Sequence, residues 1–312
     1  YDVARQDWAP DLAAGIVDPA RLPRPMWSTG IAGRVTAEAA RATGLAEGTP
    51  VTAGTVDAAA EAVSVGVASP GDMMLMYGST IFMILLTKGP LPDPRLWYAP
   101  WLYPGQHAAM AGLATSGTLT HWFRDRLASD LPRDAAFGLL AAEAEASPPG
   151  ANGLLVLPYF SGERTPIHDP EAKGVVFGLN LTHRRGDLYR ALLEGIAHGT
   201  RHVTDTFAAL GAAPARLLAV GGGVLNPLWL QSTSDVTGLD QIVCTRTLGA
   251  AYGDAFLAAE AAGLAPRIAD WNPPARRVTA RPLPVHERHH ALFLALYQQT
   301  RDIARDLSAP AQ

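Results

Sequence analysis

Two apolar runs, Met73–Tyr77 and Ile81–Leu86, stand three residues apart with only Gly78-Ser79-Thr80 between them. A connection that short, with a glycine in it, joins neighbouring strands, so the pair predicts two strands meeting at a hairpin tip. Pro70-Gly71 supplies the turn that introduces them. Upstream, Pro50–Gly54 reads as a short strand entering a small-residue turn at Asp57. Ala58–Gly66 then reads as a helix despite Val63 and Val65, because alanine dominates it. An acid and a tip of hydroxyls and N–H groups therefore follow one another along the chain, each at the end of an apolar element.

The rest of the chain reads as an α/β succession. Val35–Leu45 predicts a helix with Thr36 as N-cap and Gly44 near its end. Residues 89–106, rich in Pro, Gly, Trp and Tyr, predict a loop or irregular hairpin. Thr115-Ser116 is expected to cap a helix whose Leu119, Trp122, Phe123 and Leu127 form a buried stripe. A second helix is expected over 134–146. Leu154–Leu157 and Gly174–Phe177 read as buried strands around the polar segment Tyr159–Pro166. The strongest helix spans 187–208, opened by Asp187, with Leu188, Leu192, Ile196, Val203 and Phe207 on one face. Strand and helix then alternate over Arg216–Val220, Pro227–Val236, Gln241–Cys244 and Gly249–Ala262. A final helix, 287–307, carries Leu292, Leu296, Ile303 and Leu307. No period of 20–50 residues recurs, so a solenoid is not expected.

Composition narrows the class of function. Hydrophobic residues make up 48% of the 312 and charged residues only 17%, below the usual ~25%, which favours a well-filled core and a surface hidden against another domain. A net charge of −4 gives no basic footprint, which argues against nucleic acid. The single Cys244 excludes an intrachain disulfide framework and a cysteine-rich zinc site, and its apolar surroundings predict a buried, inert thiol. The densest apolar stretch, Met73–Leu86, is broken by Gly78-Ser79-Thr80, so no membrane span is expected and the chain reads as cytoplasmic. It opens on Tyr1 without methionine, which reads as a fragment or a processed product.

Several clusters could carry chemistry. Gly221-Gly222-Gly223 follows one predicted strand and precedes a helix, where backbone can approach a ligand closely and the helix N-terminus favours an anion. Its continuation to Asn226 misses the dinucleotide fingerprint, which wants a third glycine, and Asp240 lies before the next strand rather than at its end. A nucleotide loop, a purely structural turn and a dinucleotide site all remain open on these residues. Gly78-Ser79-Thr80 is either ordinary turn chemistry or a small anion-binding concavity, and Asp57 either a helix cap or a functional acid. Glu163, Arg164 and His168 read as a structural tie or a ligand contact. His198 and His202 lie four apart on one helical face without a carboxylate or cysteine to complete a metal set, so solvated histidines are expected. The run His286–His290 reads as a polar helix start.

Taken in order, these stretches resemble the FGGY family of carbohydrate kinases, within the actin-like ATPase superfamily. The resemblance rests on GTPVTAGTVDAAAEAVSVGV, YGST, SGERTPIHDPEAKGVVFGLNLTHRRGDLYRALLEGIAHGTRH, AVGGGVLNPLWLQSTSDVTGL and LGAAYGDAFLAAEAAG, and is most like xylulose-kinase-type members. It implies an actin-like (ribonuclease H-like) α/β fold with a mixed sheet flanked by helices. It implies residues 1–66 as the end of an N-terminal, sugar-binding domain and 67–312 as a C-terminal, nucleotide-binding domain, the rest of the first domain being missing. Asp57 would correspond to the general base that takes a proton from a sugar hydroxyl. Gly78, Ser79 and Thr80 would cradle the transferred phosphate. Gly222, Gly223 and Asn226 would line the adenine and ribose end, with Thr182 on the nucleotide wall. ATP and Mg²⁺ would be the cofactors, no protein metal site is implied, and the substrate would be a ketose such as xylulose or a related polyol. A non-catalytic actin-like binding module and a dinucleotide oxidoreductase are the rival readings. An apolar face meant for the missing domain would promote self-association, a homodimer included.

Overall fold

A computed structural model describes residues 1–264 and 267–308. The strands are β1 (Ile31–Arg34), β2 (Pro50–Thr52), β3 (Asp72–Tyr77), β4 (Ile81–Thr87), β5 (Trp97–Pro100), β6 (His107–Leu113), β7 (Leu155–Leu157), β8 (Val175–Phe177), β9 (Arg216–Val220), β10 (Gln241–Cys244) and β11 (Pro274–Val278). The helices are α1 (Pro10–Ala13), α2 (Ala37–Thr43), α3 (Asp57–Ser64), α4 (Gly117–Leu127), α5 (Ala136–Glu145), α6 (Arg185–Ala209), α7 (Pro227–Thr237), α8 (Ala250–Ala261), α9 (Ile268–Trp271) and α10 (Pro284–Ser308). Local chemistry sets several ends as expected. Thr36 Oγ1 accepts the Ala39 N–H ahead of α2, and Gly44 closes that helix with φ 78°.

Seven strands form one mixed sheet in the order β11-β10-β9-β3-β4-β6-β5, with β3, β9 and β10 mutually parallel and the remaining pairs antiparallel. The apolar hairpin lies at its centre, in register from Met73↔Leu85 to Tyr77↔Ile81. Successive side chains point to opposite faces. Met73, Leu75 and Tyr77 thus join Met83, Leu85, Leu119, Phe123, Ile196 and Phe207 in one core. Met74, Ile84 and Leu86 join Ala59, Ala62, Val63, Leu218, Phe256 and Cys244 in the other, under α3 and α8. Both sides of the hairpin are therefore covered, which is why its sequence is apolar throughout instead of alternating. Cys244 is buried as expected, with burial raising its thiol. Helices α3 and α8 touch at Gly253, where an added Cβ would run into the Ala60 carbonyl. Among the described residues no helix is long and apolar enough to cross a membrane.

Four expectations are corrected. Helix α4 buries Leu119 and Phe123, but Trp122 and Leu127 are 40% and 47% exposed. Strand β8 pairs only with β7, which leaves Val176 and Phe177 exposed rather than buried. The inward face of α10 is not the leucine set, since Leu292, Ile303 and Leu307 are exposed. It is His286, His289, His290, Phe293, Leu296 and Tyr297. His198 is likewise buried, ring against ring with His290 at 5.6 Å, instead of solvated.

Candidate active site

The parallel strands β3, β9 and β10 end on the same side of the sheet, and a cavity of about 660 Å³ opens there, where open α/β sheets generally hold ligands. Its rim on one side is Tyr77-Gly78-Ser79, and on the other Gly222, Gly223, Leu225 and Asn226. Thus Gly78, Ser79, Gly222, Gly223 and Asn226 come together around one space, as five of the eight singled-out residues.

The three glycines after β9 differ in what requires them. Gly221 has φ +94°, and an added Cβ would lie 2.6 Å from the Tyr77 carbonyl oxygen. At Gly223 a Cβ would meet Tyr77 Cβ at 2.7 Å and the Trp229 ring at 2.8 Å. At Gly222 it would meet nothing within 4 Å, so that position alone faces open space. Asn226 then caps α7, its Oδ1 accepting the Trp229 N–H at 3.1 Å, with Pro227 as the first helical residue. The floor is fixed by a buried chain of hydrogen bonds. Tyr77 Oη donates to Gln241 Oε1 (2.6 Å), and Gln241 Nε2 donates to Leu230 O (2.8 Å) and Ser234 Oγ (2.9 Å).

The hairpin tip is held from behind. Gly78 N–H closes the tip onto Thr80 O (3.0 Å), which leaves Ser79 and Thr80 as its outward donors. Helix α4 begins against it: the Gly117 N–H donates to Gly78 O (3.0 Å), and those of Ser116 and Thr118 donate to Ser79 O (3.2 and 3.1 Å). Thr118 Oγ1 adds a bond to Ser79 O at 3.0 Å. Ser116 is therefore not a side-chain cap as expected; its hydroxyl reaches Gly78 O instead. The first N–H groups of the helix, which need partners outside it, are satisfied by the tip's carbonyls.

Three singled-out residues lie outside the cavity lining. Thr80 follows Ser79 at the tip, just before β4, and is not one of the lining residues. Thr182 is exposed in a local turn, its N–H and Oγ1 both donating to Asn180 Oδ1 (2.9 and 2.7 Å). Asp57 is exposed in the first turn of α3, Oδ1 accepting the Ala58 N–H at 2.7 Å, while Val56 holds the N-cap position. One turn on, the Glu61 carboxyl is raised by burial and by the charge of Asp57, and its Oε1 faces Gly249, where β10 hands over to α8. The helix that carries the acid packs with α8 over the second core, on the face of the sheet opposite α4 and α6. Glu163 is buried, with Oε1 accepting the N–H groups of Ala114 and Arg164, each at 2.7 Å. Burial lifts its carboxyl to about 7 against the pull of those bonds and of the Arg164 charge.

Sequence reasoning missed the second wall, made of Thr120, His121, Phe137, Gly138 and Ala141 from α4 and α5, with Tyr189 and Trp229 below. No spacing announces it, because those residues face the cavity only once α4, α5 and α7 have all packed against α6. His198 and His202 build no metal centre: among the described residues no group of three His, Cys, Asp or Glu side chains could hold an ion.

Comparison with known proteins places this arrangement. The profile described as "FGGY family of carbohydrate kinases, C-terminal domain" matches residues 73–262. The xylulose kinase of Escherichia coli (strain K12) is 32% identical over 313 residues, covering 98% of this chain and 62% of that protein. The ribulokinase of Shouchella clausii is 33% identical over 242 residues, 74% of this chain and 43% of that protein. Among solved structures, xylulose kinase from Rhodospirillum rubrum superposes with a TM-score of 0.90 at 33% identity, over 97% of this chain and 62% of that one. Plasmodium falciparum glycerol kinase, solved with ADP, shares the fold alone, with a TM-score of 0.83 at 17% identity. The chain spans less than two thirds of the length of these relatives. Its mixed sheet and flanking helices are the actin-like ATPase fold, and it belongs to the FGGY family of carbohydrate kinases.

Proposed function

We propose that the chain is the nucleotide-binding part, with the catalytic acid, of an enzyme that phosphorylates a sugar hydroxyl from ATP. The observation that carries this reading is the cavity itself: one space bounded by a hydroxyl-bearing hairpin tip at one end and by Gly222 and the N-terminus of α7 at the other. A nucleotide laid along it puts adenine and ribose by Gly222, Gly223 and Asn226, and its phosphates at Ser79 and Thr80, with Gly78 shaping the tip. Mg²⁺ would arrive held by the nucleotide's phosphates and neutralise their charge. Asp57 would accept the proton of the attacking hydroxyl, which is a poor nucleophile at neutral pH and gains about 10²–10⁴ in rate from a positioned base. The acceptor is a ketose such as xylulose or a related polyol, a reading supported by relatives named xylulose kinase and ribulokinase. Residues 1–66 would close the end of a sugar-binding domain and 67–312 form the nucleotide domain.

The exposure of Asp57, outside the cavity lining, favours one rival: a module that binds nucleotide without catalysis. A coupled assay of the full-length protein with Mg-ATP and a panel of ketoses and polyols separates the two. The kinase reading expects turnover with at least one sugar, lost by 10²-fold or more in Asp57→Asn while ATP binding persists. Full activity in that variant removes Asp57 from the role, and no turnover on any sugar leaves the binding module.

A further inference from the structure

The hairpin tip owes its shape to the start of α4, where Gly117 lines the cavity and Ser116 and Thr118 lie outside its lining. Its two carbonyls, Gly78 O and Ser79 O, are held by the N–H groups of Ser116, Gly117 and Thr118. An anion approaching the tip meets carbonyls already engaged, and donors that remain. That protection depends on where residues 114–118 lie as they leave β6, and the loop Tyr159–Pro166 holds the stretch just before the donors, at Gly112 and Ala114. Thr165 Oγ1 accepts the Gly112 N–H (2.7 Å) and donates to Gly112 O (2.8 Å). Glu163 Oε1 takes the Ala114 N–H, two residues before the donors begin. The Glu163 side chain is 4% exposed, and its other oxygen, Oε2, has no hydrogen-bond partner among the described residues. A buried carboxyl is costly, and this one makes its bonds only to the backbone it fixes.

We propose that Glu163 is a positioning residue for phosphate binding, holding the Ala114–Thr118 turn so that its donors occupy the Gly78 and Ser79 carbonyls. This rests on the nucleotide reading given above. The consequence is selective. Loosening the turn bares two carbonyls where phosphate would sit, and leaves the adenine end at Gly222 and Asn226 untouched.

Three versions of the protein test it: wild type, Glu163→Ala and Glu163→Gln, the last keeping an acceptor for both N–H groups. In nucleotide-free protein, amide exchange at Ser116, Gly117 and Thr118 should speed up at least tenfold in Glu163→Ala, with β3 and β9 unchanged, and return in Glu163→Gln. By calorimetry, Glu163→Ala should bind ATP at least tenfold more weakly while its AMP affinity moves less than twofold, and Glu163→Gln should restore ATP. Unchanged exchange at 116–118, or equal weakening of ATP and AMP, overturns the proposal. If wild type binds neither nucleotide, the nucleotide reading falls, and the proposal of a phosphate role falls with it whatever the exchange data show. Normal exchange with weak ATP binding in the alanine protein instead sinks the proposal alone. Should Glu163→Ala fail to fold, Glu163→Asp, which withdraws the acceptor by one methylene, is measured against the same outcomes.

Discussion

At the scale of single residues, the glycines after β9 show how one sequence signal divides under tertiary contacts. Gly221 and Gly223 are required by the end of β3, whereas a Cβ at Gly222 would meet nothing within 4 Å among the described residues. Gly221→Ala must place a Cβ at positive φ against the Tyr77 carbonyl, and should destabilise the protein by about 1–3 kcal/mol, read as a lower denaturation midpoint. Gly222→Ala should leave that midpoint within ~0.5 kcal/mol yet weaken ATP binding severalfold by calorimetry. A reversed pattern would mean that the open position does not face the nucleotide. The triplet was legible as a loop. Its division was not, because Tyr77 lies far upstream in the chain. The tip was legible in the same partial way: Gly78-Ser79-Thr80 announces a turn, but nothing in it announces that Ser116–Thr118 would bind its carbonyls.

At the scale of elements, α10 shows why an amphipathic stripe can be misplaced. His286, His289, His290, Phe293, Leu296 and Tyr297 follow the i, i+3, i+4, i+7 spacing of a buried face, and do so only if neutral histidine counts as apolar. Counting it as polar rotates the stripe onto Leu292, Ile303 and Leu307. The packing of α10 on α6 has a price in protons. Burial depresses His198 well below its ordinary range, and His286 and His202 to about 4. Asp205 lies beside His290, and Arg201 pairs with Glu287 across the same seam. The unfolded chain takes up these protons near pH 6.5, whereas the native one keeps His286 and His202 neutral down to about 4 and His198 well below its ordinary range, so stability should fall as pH drops from 6.5 towards 4. Each histidine contributes a slope of at most ~1.4 kcal/mol per pH unit. Glu163 works the other way between its ordinary range and about 7, since its proton is held by the folded state. The clean observable is therefore the difference between wild type and His286→Leu in thermal midpoint from pH 7 to 4. A wild-type curve no steeper than the variant's would refute neutral burial.

At the scale of the whole molecule, composition and alternation of elements made the α/β class and mixed sheet legible, but not the strand order. The central pairing of β3 with β9 joins segments that no local signal links, and it brings the tip beside the glycine loop. The residues that line the described cavity all fall within 77–229. The 312-residue chain alone should then gain stability from ADP by mass action, about 2.7 kcal/mol at a hundred times Kd, seen as a raised melting temperature. Xylulose without nucleotide should leave the melting temperature unchanged, since Asp57 stands exposed and outside that cavity. A shift with the sugar and none with ADP would reverse the assignment of the two ligands.

The contact of Gly253 with Ala60 also has a meaning in time. A ribosome delivers α3 roughly two hundred residues before the helix that covers it, an interval of about 10–40 s at ordinary rates of synthesis. Through that interval Ala59, Ala62 and Val63 wait without α8, the natural moment for a chaperone to bind this nascent chain. The acid proposed to start the chemistry is thus made well before the helix that packs over its own.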